Sequence, residues 1–279
     1  MDPRLPPELE RQIFETTALA HRVMIPTLLR VARRTHVWIE PLLYRILGPD
    51  VRRGRDMFRV IRVFLNTKPP RFFSDAVRHL HLPPASHLTQ GQARRLASLS
   101  IHLVDFAAGG FSSEPGLLPI LARLHIRHLS ISLGQMFSVT GASRGIDFHH
   151  QVFNSVTHLT VYDRPDDFIY IGIPTLPALT HLSMKKTVLW GALHTLLTKC
   201  TRLQVFINVW PPSEIRSVRG LMVPSPDPRF VMVAFDDYWA DWKAGAEGQL
   251  DLWAMAEDFI AQKRRGDIPE GQSFMDHRM

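Results

Sequence analysis

A short element recurs along this chain and constrains its fold more than any other feature. Val77-Arg78-His79-Leu80-His81-Leu82 returns as Ile126-Arg127-His128-Leu129-Ser130-Ile131. It returns again as Val156-Thr157-His158-Leu159-Thr160-Val161 and as Leu179-Thr180-His181-Leu182-Ser183-Met184. Two weaker copies, Leu103-Val104-Asp105-Phe106-Ala107 and Leu203-Gln204-Val205-Phe206-Ile207, complete the series. The central apolar residues fall at 80, 106, 129, 159, 182 and 206, in steps of 26, 23, 30, 23 and 24 residues. Alternation within each copy is the mark of a strand with one apolar face. A regular step means that each strand begins a structural unit that must stack on its neighbours to bury that face.

The pattern L-x-x-L-x-L at this spacing predicts an α/β fold, an irregular leucine-rich-repeat solenoid over residues 75–245. Helical or irregular runs join the strands. They include Gln92–Leu99, Leu117–Leu124 and the clearest, Leu189–Cys200, which passes straight into Thr201-Arg202-Leu203. Phe230–Phe235 reads as a last strand. Leu250, Leu252, Trp253, Ala256, Phe259 and Ile260 mark one side of a helix over 246–265 that ends in Lys263-Arg264-Arg265. Cations there complement the helix dipole, and the helix is expected to cover the final repeat. Residues 266–279 read as a loosely held tail. The 21 prolines, spread between apolar runs, fit many short elements joined by turns.

The first 47 residues have a different character. Prolines at Pro6 and Pro7 suit the first turn of a helix that carries Leu9, Ile13 and Phe14 on one side. Leu28, Val31 and Ala32 repeat at helical spacing, and a third apolar run follows from Val37 to Tyr44. So small a unit makes a weak core alone and must dock onto something. A connecting helix or linker is expected over 48–74.

The stretches "LPPELERQIF" and "IPTLLRVARRTHVWIEPLLYRIL" resemble the F-box pattern, and the chain as a whole resembles the F-box-like proteins with divergent leucine-rich repeats of mushroom-forming (basidiomycete) fungi. The resemblance implies docking to the adaptor subunit of a cullin–RING (SCF-type) ubiquitin ligase. By position, the adaptor-facing residues would be Leu5, Pro6, Leu9, Ile13, Leu28, Val31, Leu42 and Tyr44.

The remaining features narrow the chemistry. A lone cysteine, Cys200, excludes an intrachain disulfide and a paired-thiolate zinc site, and it reads as a packing residue. That cysteine usage suits the cytosol or nucleus. No membrane span is expected. The net charge of +7 comes from small scattered clusters such as Arg33-Arg34 and Lys185-Lys186, so specific nucleic-acid binding is not expected. Thr140-Gly141-Ala142-Ser143-Arg144-Gly145 imitates both a dinucleotide turn and G-x-S-x-G. It has Asp147 where a third glycine belongs, and no long helix follows. No catalytic residue, cofactor or metal is expected.

Function is therefore expected on a surface. The position before the central leucine faces away from the leucine core, so His79, Asp105, His128, His158 and His181 should form a row on an open face, with Tyr162 and Lys185 beyond it. These seven are the expected client-binding residues. Neighbouring strands about 4.8 Å apart would make the imidazoles parallel rather than convergent, which argues against a metal site. Without a ubiquitin role, the alternative is a protein-interaction scaffold whose first helices only cap the solenoid.

Overall fold

The computed structural model describes residues 5–48, 57–82, 88–138, 145–163, 167–185, 190–214, 227–269 and 271–276. Among the described residues, nine strands form one parallel sheet in which each strand pairs with the next in sequence. They are β1 (Ile46–Leu47), β2 (His79–Leu82), β3 (Asp105–Ala108), β4 (His128–Ile131), β5 (His158–Val161), β6 (His181–Lys185), β7 (Val205–Trp210), β8 (Phe230–Ala234) and β9 (Phe274–Met275). Register follows the repeat. Leu80, Phe106, Leu129, Leu159, Leu182, Phe206 and Phe230 stand opposite one another across successive pairs.

Parallel neighbours require a crossover, and short helices return the chain along one face of the sheet. These are α4 (Met57–Thr67), α5 (Pro70–Ala76), α6 (Gln90–Leu99), α7 (Leu118–Leu121), α8 (Leu133–Met136), α9 (Asp167–Gly172) and α10 (Trp190–Lys199), with 3₁₀ turns among them. Thr89 starts α6 by accepting from the Gln92 N–H, while the Gln92 side chain accepts from the Thr89 N–H. That reciprocal pair satisfies two otherwise orphaned donors. Against these helices the leucine row builds the main core, which runs from Leu47 to Met232 and includes Leu96, Leu121 and Leu196. Cys200 lies in this core, and burial pushes its thiol up to about 11, so the side chain behaves as an apolar one.

The opposite face of the sheet changes character along its length. Over β2–β6 it carries His79, Asp105, His128, His158 and His181. Over β7 and β8 it carries Val205, Ile207, Val209, Val231 and Val233, which are buried. A second core forms there, closed by Leu252, Ala256, Phe259 and Ile260. Strands apolar on both faces are strands covered on both faces.

The cover is C-terminal. Helix α11 (Tyr238–Ala246) is started by Asp237, which accepts from the Ala240 N–H. Helix α12 (Leu252–Arg265) is started by Asp251, which accepts from the Ala254 N–H, and ends at Gly266, whose φ of 79° is left-handed. This last helix lies on the histidine–valine face, where its apolar side packs against the valine rows of β7 and β8. The segment expected to be loose differs. Ser273 and Met275 are buried, and Phe274–Met275 extends the sheet beside β8.

At the other end, α1 (Pro7–Ala20), α2 (Ile25–Leu28) and α3 (Arg33–Ile39) enclose a small separate core of Ala18, Ile25, Leu28 and Ile39. The buried Thr35 hydroxyl accepts from the Ala32 N–H and reaches the Leu28 carbonyl at 3.2 Å, locking the turn into α3. Tyr44 joins this unit to the next by edge-on contact with Phe64 and Phe72 at 4.8 and 5.4 Å. Lys68 pairs with Glu40 at 2.6 Å across the same junction. Among the described residues no helix is long and apolar enough to cross a membrane.

Candidate functional site

The row expected from the repeat exists. Asp105 pairs with His79 and with His128, and His158 stands between His128 and His181. The imidazoles stack, His128 on His158 at 4.2 Å and His158 on His181 at 4.0 Å between ring centroids. This is closer than the roughly 4.8 Å strand spacing, so the rings lean together. Threonines on the preceding positions orient them. Thr157 meets His158 Nδ1 at 2.9 Å and Thr180 meets His181 Nδ1 at 2.8 Å. Glu257 of α12 lies 2.9 Å from His181 Nε2. A neutral imidazole that donates from Nε2 to this carboxylate leaves Nδ1 as an acceptor for the Thr180 hydroxyl, whose one proton is shared between that nitrogen and the Thr157 carbonyl at 3.2 Å.

The face is not open, however. Trp242 of α11 donates its indole N–H to Asp105 at 2.8 Å, and Asp105 also lies 3.4 Å from His79 Nδ1. Trp253 of α12 stands edge-on to His158 and His181 at 5.3 and 5.7 Å. Trp239 and Trp242 lie against His81. Gly48 lies so close to the Trp239 ring that a Cβ there would collide with it. Asp105 and His181 are buried, and His79, His128 and His158 are partly buried. The expected open client face is corrected here: the C-terminal helices occupy it because their indoles supply the donors and ring edges that the polar row needs. What remains is a small cavity of about 70 Å³ between His128, Asp105, Asp241, Trp242 and Trp253.

Burial governs the titration of this layer. Burial, aided by the neighbouring His128 and His181, pushes His158 down to about 2. Burial likewise pushes His81 down to about 4, and the nearby Asp105 charge opposes it. His181 is lowered by burial against the opposing pull of Glu257. Asp241 is raised to about 7 by burial, although its carboxylate accepts the Leu252 N–H at 2.6 Å. Among the described residues no group of three or more His, Cys, Asp and Glu side chains is placed to hold a metal ion.

Tyr162 lines the small cavity and also, with Lys185, a second cleft of about 640 Å³ beyond the C-terminal ends of β5–β8. The Lys185 ammonium rests on the rings of Tyr238 and Tyr162, at 3.9 and 4.8 Å from their centroids.

The N-terminal residues divide into two sets. Leu5, Leu9, Ile13 and Val31 are 53%, 47%, 53% and 56% exposed, and Pro6 is exposed with them. Leu28 is buried, Leu42 packs against the same small core, and Tyr44 packs on Phe64 and Phe72. Those last three face inward because a three-helix unit of this size needs them for its own core and its junction. Val23 and Met24, between the first two helices, are also exposed.

The stretch around Ser143 lies within 139–144, outside the described residues. No protein-family model matches the chain, and no curated protein matches it. Among solved structures it is similar to the C-terminal domain of a tropomodulin from Caenorhabditis elegans. The two share 11% identity over 57% of this chain and 97% of that one, with a TM-score of 0.36.

Proposed function

We propose that the chain is a non-enzymatic substrate-recognition adaptor of a cullin–RING (SCF-type) ubiquitin ligase, an F-box-like helical motif followed by an irregular leucine-rich-repeat solenoid. The observation that carries the reading is the exposed apolar stripe of Leu5, Leu9 and Ile13, with Val31, on a helical unit whose own core is already closed. Apolar side chains left out of a complete core are the usual mark of a docking surface. Client recognition then falls to the cleft holding Tyr162 and Lys185, since the chain's own helices cover the histidine row.

The scaffold alternative draws on Leu28, Leu42 and Tyr44, three of the eight motif positions, which serve internal packing. Co-purification of the full chain with the ligase adaptor separates the two readings, using wild type and a Leu9→Asp, Ile13→Asp variant. Capture by wild type and loss in the folded variant supports the ligase reading. Failure of wild type to bind leaves the scaffold.

A further inference from the structure

The cleft beyond β5–β8 holds a cation, Lys185, for which the described residues supply no acceptor. Three of its other polar side chains are already engaged. Asp163 accepts from the N–H groups of Leu133 and Gly134 at the start of α8 and from the Ser132 hydroxyl. Trp210 donates its indole N–H to Asn208. The Tyr162 hydroxyl is hydrogen-bonded to Ser130. Lys185 forms no hydrogen bond or ion pair with any described residue; its ammonium meets only the two tyrosine faces. Cation–π contact holds the ammonium in place and leaves its N–H donors without an acceptor among the described residues.

The walls are flat and apolar, made by Trp210, Phe235 and Val209, and about 640 Å³ lies within the range of sites that enclose small organic molecules or a short peptide end. Two further carboxylates, Glu214 and Asp236, also line the cleft. They oppose a dianion such as a phosphate about twice as strongly as a single negative charge, which the Lys185 ammonium can pair with.

We propose that this cleft binds an organic carboxylate carried on a flat or apolar body, with Lys185 as the charge anchor and the aromatic walls holding the body. The inference deepens the client-binding half of the function proposed above. The same chemistry comes from a small aromatic acid or from the apolar C-terminus of a client. The carboxylate would replace solvent on the ammonium without disturbing the tyrosine contacts.

The test is titration of the full chain, followed by tryptophan fluorescence and calorimetry. The probes are 3-phenylpropionate, N-acetyl-Gly-Gly-Phe with a free carboxylate, and the same peptide as its amide. Saturable binding of a free acid is expected, with the amide weaker by about tenfold or more, the ordinary scale for losing a charge-assisted hydrogen bond. Lys185→Met should lower acid binding by a similar factor. The comparison of acid with amide on wild type stands even if that variant folds poorly. Preference for the peptide identifies a protein end as the source, and preference for phenylpropionate identifies a small acid. Equal binding of acid and amide, no saturable binding of either acid, or a folded Lys185→Met variant that binds the acid like wild type would overturn the proposal. None of these readouts involves the N-terminal helices, so adaptor capture and carboxylate binding fail or succeed separately.

Discussion

The helices from the two ends of the chain solve the same problem in opposite ways. Both sets carry apolar side chains beyond what they need to stay helical. At the C-terminus those side chains are buried against the sheet. Leu252, Ala256, Phe259 and Ile260 close a second core on the valine rows, and the indoles of Trp242 and Trp253 meet the polar row. At the N-terminus the core closes with Ala18, Ile25, Leu28 and Ile39, and Leu5, Leu9 and Ile13 stay outside. The two regions touch through Arg22 and Glu247, paired at 2.8 Å, but among the described residues they share no apolar core. Apolar surface that could have been buried within the chain and was not is the stronger sign of a partner.

The contrast can be broken by substitution. The largest effect should come from Phe259→Ala, which empties part of the second core and should cost about 3–5 kcal/mol in urea unfolding. A cost near zero would mean that α12 is only loosely placed. Next comes Trp242→Phe, which removes the indole donor from the buried Asp105 and should cost about 1–3 kcal/mol.

Acid dependence sharpens the picture. His158 has its pKa depressed from 6.5 to about 2, so its contribution is present above pH 6.5 and lost as pH falls below that value, where only the unfolded chain takes up the proton. Asp241, raised from 3.8 to about 7, works the other way and weakens the fold as pH rises through that window. Melting between pH 7 and 4.5 should therefore show a shallower acid loss in His158→Gln and a steeper one in Asp241→Asn. Identical slopes in all three proteins would contradict the buried layer. The smallest effect belongs to Leu9→Asp with Ile13→Asp, which should leave stability within about 0.5 kcal/mol of wild type, as exposed positions usually do. A loss of several kcal/mol would place these residues in the fold's own packing.

Much of this was readable in the residues. The step of the repeat put Leu80, Phe106, Leu129, Leu159, Leu182 and Phe206 in one row, and side-chain alternation put the histidines on the opposite face. What covers that face was not read, since local pattern shows that a surface exists and not what lies on it. A signal was nevertheless present. Val205–Trp210 and Phe230–Ala234 are apolar at nearly every position, which a sheet with one open face does not produce. Together with the apolar side of Leu252–Ile260, those runs pointed to a second core. The roles of Trp239, Trp242 and Glu257 depend on contacts between residues more than 70 positions apart, beyond the reach of periodicity. The division of the N-terminal positions was equally hidden, because a helical stripe does not tell a small unit's own core from its docking face.

The most direct test of the central claim, that the C-terminal helices cover the polar row, is histidine carbethoxylation with diethyl pyrocarbonate, read by peptide mass. His21, His36, His102, His125, His149 and His194 are exposed and should react at similar rates. His158 and His181 should react far more slowly in the native protein and catch up when Phe259→Ala releases α12. Modification of His158 and His181 at the rate of His102 in the native chain would show an open face and contradict the account.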